Sequence, residues 1–229
     1  EEWRDVQGQM VKVGEVIRDM QIDVQVCANQ PPQLTPMADT CVLAGTLLSF
    51  PVTAIDPDGD PMVLSALGGP MSEVVHEANF DANTAGEGLF EWTPQCAEIR
   101  SEPYQVVFKA QDWGATVQLV DIESRRISVI SPPVAGLGAE PIGLSMWLTW
   151  EAHSCLDGVA SALEDGAVHD VHRRPASEAT DWTPGPCEVG IPAEEGYTFV
   201  GSANGLEAVG FVDEGELDFG ALYLSLIHI

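Results

Sequence analysis

Between Phe50 and Leu64 the chain reads as strand, acidic turn, strand, and few folds accept that order. Phe50, Val52 and Ala54 alternate with Pro51, Thr53 and Ile55, the period-2 pattern of a strand with one face on a core. Asp56-Pro57-Asp58-Gly59-Asp60 then stops the ladder, because proline fixes φ and removes a donor while glycine supplies a left-handed position. Three carboxylates are left on one tight loop. It is either an oxygen-rich site for a hard cation such as calcium or a solvated turn whose aspartates cap their own backbone amides. An EF-hand is excluded by spacing: counted from Asp56, Pro61 stands sixth and Leu67 twelfth, where glycine and a bidentate glutamate are needed.

The same alternation recurs along the chain. Strands are expected at 42–43, 47–55, 62–67, 88–92, 104–110 and 117–129, with Gly, Pro and Asn turns between them and almost no helical periodicity. That spacing predicts an all-β chain of tandem antiparallel β-sandwiches. Cys27-Ala28-Asn29-Gln30-Pro31-Pro32 and Ser131-Pro132-Pro133 read as linkers, since consecutive prolines hold an extended chain that cannot continue a ladder. They divide the sequence into 1–28, the last strands of a preceding repeat; 29–131, one sandwich; and 132–229, a second. In the first part Gln9–Gly14 and the alternating Ile17–Val26 read as strands, and Glu123–Ile130 repeats the latter's ending about a hundred residues later. In the last part strands are expected around 141–150, 167–174, 196–201 and 209–212. Apart from the strand at 167–174, residues 156–186 read as loop, and 224–229 as a non-native tail where the closing strands should stand.

Charge narrows the function. There are 36 Asp and Glu against nine Lys and Arg, a formal charge of −27. Nucleic acid and anionic membranes are poor partners for such a surface. No run of eighteen apolar residues spans a bilayer, and the chain starts at Glu1 as though cut from something longer. There is no Gly-x-Ser-x-Gly elbow, no His-Glu-x-x-His and no phosphate loop, so no enzyme is expected.

Several segments carry a resemblance: Arg18-Asp19-Met20-Gln21-Ile22, Asp39-Thr40-Cys41-Val42-Leu43-Ala44-Gly45, the Asp-Pro-Asp-Gly-Asp turn, Phe90-Glu91-Trp92, Pro103 through Ala110, and Cys187 through Ala193. Together they resemble the repeat region of gliding-motility-associated surface proteins of Bacteroidota. The resemblance implies an immunoglobulin- or cadherin-like module followed by a fibronectin type III-like module, exported by type IX secretion and held at the cell surface, in association with the outer membrane. It implies adhesion or spacing as the role, with neighbouring modules and a surface glycan or protein ligand as partners. The chain departs from that pattern at His169 and His172, which precede Arg173-Arg174 where tyrosines are usual.

Candidate sites follow. Asp56, Asp58 and Asp60, with Asp112 as a fourth ligand and Asn29 from the linker, are the metal candidates, for calcium. Five cysteines lie far apart with no Cys-x-x-Cys pair, which fits disulfides in an exported protein. The expected pairs are Cys41 with Cys96, closing a loop of about 55 residues for on the order of 4 kcal/mol, and Cys155 with Cys187. Spacing does not fix this connectivity, and Cys27 is left over. Trp92, Trp147 and Trp150 belong to alternating strands and are expected in cores, whereas Trp113 and Trp182 fall in loops and are the candidates for stacking a sugar. His169 and His172 are expected on opposite faces of a strand, as surface residues.

Overall fold

The computed structural model describes residues 2–6, 8–14, 20, 29–113, 117–155, 168–178, 182–183, 185, 188, 190–205, 207–215, 217–218 and 223–228. The fold is nearly all β. Strands β1 (Glu2–Val6) and β2 (Gln9–Gly14) form an antiparallel hairpin turned at Gly8. Ile17–Val26, expected as a strand, lies outside the described residues apart from Met20.

The first sandwich is built from β3 (Gln33–Leu34), β4 (Thr40–Leu43), β5 (Leu48–Ile55), β6 (Met62–Gly68), β7 (Asn79–Ala82), β8 (Glu87–Trp92), β9 (Tyr104–Asp112) and β10 (Val120–Ile130). A single helical turn, α1 (Gly69–Ser72), follows β6. One sheet has the order β4-β10-β9-β6 and the other β3-β5-β8-β7, an immunoglobulin-like arrangement. The first edge is shared: β3 pairs antiparallel with β5, then the chain crosses over and β4 pairs parallel with β10. Period-2 alternation decides what goes inside. Val52 and Ala54 of β5, Phe90 and Trp92 of β8, and Tyr104, Val106, Phe108 and Ala110 of β9 are all buried. Phe108 sits at the centre, with ring centroids 5.4 Å from Phe80, 5.8 Å from Phe90 and 6.0 Å from Phe50. Trp92 packs edge-on against Tyr104 and donates from Nε1 to the His76 carbonyl at 2.7 Å, which satisfies its one polar atom.

The second sandwich has two antiparallel three-stranded sheets. One comprises β11 (Gly138–Ile142), β12 (Ser145–Thr149) and β15 (Gly210–Asp213), in that order; the other comprises β14 (Thr198–Asn204), β13 (Val168–Pro175) and β16 (Tyr223–His228). Residues 138–149 form a hairpin rather than one strand, because Gly143, at φ +65°, turns the chain back. Residues 224–228, set apart in the sequence as a tail, fall within β16 and pair with β13. Among the described residues the core here is small: Leu148, Trp150 and Val171.

The two sandwiches meet where β10 ends. The buried His153 interacts through Nε2 with Ser131 Oγ at 2.8 Å and with the Pro132 carbonyl at 3.0 Å, and its Nδ1 accepts from the Cys155 amide at 3.0 Å. That return of the chain lays Cys155 beside Cys96, on the turn between β8 and β9, and the two form a disulfide. The expected pairs, Cys41 with Cys96 and Cys155 with Cys187, are therefore not formed. Cys41 is disulfide-bonded elsewhere. Its neighbour Val42 points into the core, so alternation turns Cys41 to the outside of the sheet, away from Cys96. Cys27 and Cys187 lie outside the described residues.

Candidate functional site

Asp56 ends β5 and organises the acidic turn locally. Its Oδ1 accepts from the amides of Asp58 at 2.9 Å and Asp60 at 3.1 Å, while its carbonyl accepts from Gly59, held at φ +81°. Asp56 is buried, and its other carboxylate oxygen, Oδ2, has no hydrogen-bond partner among the described residues. Register brings in the fourth aspartate: β6 and β9 pair Met62 with Asp112, and the Trp113 amide donates to the Pro61 carbonyl at 2.8 Å. Asp112 is fully buried, accepting from the Leu119 amide at 2.7 Å and from Asn29 Nδ2 at 2.6 Å.

The linker closes over this turn. Asn29 Nδ2 also donates to the Val117 carbonyl at 3.1 Å, and Gln30 donates to Asp58 from its amide at 2.6 Å and from Nε2 at 3.3 Å. Asp60 is half-buried, and that burial, followed by the negative charges of Asp56, Asp112 and Asp58, raises its carboxyl above the ordinary aspartate value. The sequence picked out these four aspartates and Asn29; Gln30 was missed, and its only signal was its place in the linker next to Asn29.

The carboxylates that act on Asp60, those of Asp56, Asp112 and Asp58, offer oxygen, the donor type of a hard cation. As placed, no three carboxylate, imidazole or thiolate groups among the described residues stand close enough together to ligate an ion. Asp112 spends both oxygens on hydrogen bonds, and Asp56 one. Among the described residues the uncommitted capacity is Asp56 Oδ2 and the Asp60 carboxylate, while the Asp58 carboxylate accepts from Gln30 of the linker.

The remaining candidates separate by burial. Trp92 and Trp150 are buried in the two cores, while Trp147 is 36% exposed on the outside of β12. Trp113 is 50% exposed, directly after Asp112. Trp182 is half-buried against Tyr197. His169 corrects an expectation: it is fully buried and tilts against Trp150 at 5.5 Å, because Val168–Arg174 turns His169 and Val171 toward the core. His172 packs on Phe199 on the other side. Arg173 pairs with Asp213 at 2.6 Å and Arg174 with Glu195 at 3.2 Å, so neither awaits a ligand. No helix among the described residues is long and apolar enough to cross a membrane.

No protein-family model matches the chain, and no curated protein matches it. Among solved structures the chain is similar to a tandem-domain segment of titin at 12% identity and a TM-score of 0.36, covering 87% of this chain and 60% of that one. It is also similar to the SrpA adhesin of Streptococcus sanguinis at 9% identity and a TM-score of 0.37, over 57% of this chain and 91% of the adhesin. An endo-fucoidan hydrolase of glycoside hydrolase family 107 matches at 12% identity and a TM-score of 0.34, over 46% of this chain and 15% of the hydrolase. The chain thus spans less than two thirds of the titin segment's length.

Proposed function

We infer that this chain is a non-catalytic structural or adhesive segment of a secreted or cell-surface protein, which spaces and presents neighbouring domains. It is organised as the end of one repeat, a sandwich over 29–131 and a second sandwich over 132–229, with calcium stiffening the joint that enters the first sandwich. The observation that carries this reading is the fastening of linker residues Asn29 and Gln30 onto Asp112 and Asp58, over a turn whose Asp56 keeps one buried, unpartnered oxygen. A cation bound there would add its own ligands between linker and turn, so the residues that position the joint are those that would hold the metal. Asp56 and Asp60 supply the free oxygens, Asp58 and Asp112 the wall, and water completes the roughly six to eight ligands calcium takes.

The test is thermal unfolding of the full chain in calcium, magnesium and chelator at fixed ionic strength. A ligand at about a hundred times its dissociation constant adds about 2.7 kcal/mol, which moves a domain of this size by roughly 10–20 °C. We expect that shift with calcium, and its loss in Asp58→Ala. An unchanged midpoint would leave the turn as a solvated cap.

The exposed Trp113 supports a second reading, a carbohydrate-binding accessory module of a secreted polysaccharide-degrading enzyme. Glycan-array binding lost in Trp113→Ala would favour it.

A further inference from the structure

The two outer faces of the first sandwich differ in kind. On the β6-β9-β10 side, alternation turns Val63 and Leu67, Val107, and Val120 and Ile122 outward, around Lys109, which the registers set level with Ser65 and Ile122. Four of these aliphatics are between 45% and 64% exposed. Single exposed aliphatics are ordinary, but these are contiguous across three strands. No carboxylate from these strands shares the face: Asp121 and Glu123 pair with Ala110 and Phe108, on the inward side.

The cations mark the same face. Arg100 lies over Tyr104, Arg125 over Phe50, and Arg173 and Arg174 hold carboxylates. Lys109 and Arg126 have no ion pair or ring contact among the described residues, and both stand on this face, in a chain of net charge −27. The opposite face, β5-β8-β7, has the converse character. Glu87, Glu91 and Asp81 point outward around Leu89 and Pro51, with Leu89 42% and Ile55 72% exposed.

We propose that the β6-β9-β10 face docks the β5-β8-β7 face of a second copy of this chain, side by side. Lys109 and Arg126 meet the carboxylates of Asp81, Glu87 and Glu91, and the two aliphatic fields cover each other. Pairing like with like is disfavoured on both sides, since one places lysine on lysine and the other carboxylates on carboxylates. The contact is therefore heterologous and leaves a free face at each end, so it grows as an open row rather than a closed dimer. It adds a lateral partner to the spacer reading and is independent of the metal.

The test is sedimentation of the full chain in chelator, from about 10 µM to 1 mM, at low and at high salt. We expect a weight-average mass that rises with concentration and falls back with salt. Lys109→Glu and Glu91→Lys should each weaken association by at least about tenfold, and the double variant should restore it. Arg126→Glu with Glu87→Lys provides a second pair should the first fail to fold. A chain that stays monomeric throughout, association untouched by the single reversals, or a double variant that does not recover would overturn the proposal.

Discussion

Asp60 bears the local cost of four carboxylates around one turn. Its half-buried carboxyl is raised by burial and then by Asp56, Asp112 and Asp58. A carboxyl raised in the folded state contributes stability below its unfolded value of 3.8 and loses that contribution as pH rises through the folded value. At neutral pH without metal its charge therefore works against folding. Asp60→Asn should raise the unfolding midpoint in chelator and reduce the gain on adding calcium; a midpoint that falls in chelator would mean that a donor or positive charge outside the turn compensates this carboxylate. His169 carries the opposite sign. Burial, and next the neighbouring His153, lower its pKa, and the backbone of Ala203 and Gly205 offsets this only in part, without closing a hydrogen bond to either ring nitrogen. The unfolded chain binds a proton there more readily than the folded one, so stability present above pH 6.5 is lost below it, at no more than about 1.4 kcal/mol per pH unit. Urea unfolding at pH 7.5 and pH 5 should show that loss in the wild type and a smaller one in His169→Phe. The aspartates were legible because a turn motif fixes its own neighbours. His169 was not, because alternation says that a residue faces one side without saying which side is covered.

Strands were legible wherever one face is buried and the other wet. The expected 47–55, 62–67, 88–92 and 104–110 fall on β5, β6, β8 and β9 within two residues at each end. The alternating pattern failed where burial does. β7 has no fully buried residue in its four, so nothing in its pattern distinguishes it from a loop. β11 and β12 read as one stretch because the glycine that divides them is a single residue in an apolar run. The same distinction sets what substitutions cost. Phe108→Ala empties the meeting point of three other rings and should destabilise the first sandwich by about 3–5 kcal/mol. Leu67→Ala, on the outward face of β6, should stay within about 0.5 kcal/mol. Denaturant unfolding of the two variants separates these outcomes, and comparable losses would mean that the outer face is covered in the isolated chain.

At the scale of the molecule the two sandwiches are unequal, and the Cys96–Cys155 bridge joins the stronger to the weaker. Fifteen buried apolar residues form the first core and three the second, among the described residues. The bridge closes 59 residues of sequence, which in the chain-entropy picture removes on the order of 4 kcal/mol of freedom from the unfolded state. Much of that closed loop is β9, β10 and the Ser131–Cys155 return, so the restraint falls on the second sandwich's first hairpin and holds it against a partner that is already folded. The pairing escaped the sequence for a physical reason: the return that brings Cys155 to Cys96 is held by His153 against Ser131 and Pro132, and no spacing of cysteines records that contact. The second sandwich should therefore depend on the bridge. Scanning calorimetry of the full chain should show its transition fall sharply, or vanish, on adding reductant and in Cys155→Ser, with the first transition moving less. Limited proteolysis of the reduced chain should cut within 132–229 first. If that region survives reduction as a compact unit with its own unchanged transition, the small core is sufficient and the bridge only sets the angle between the sandwiches.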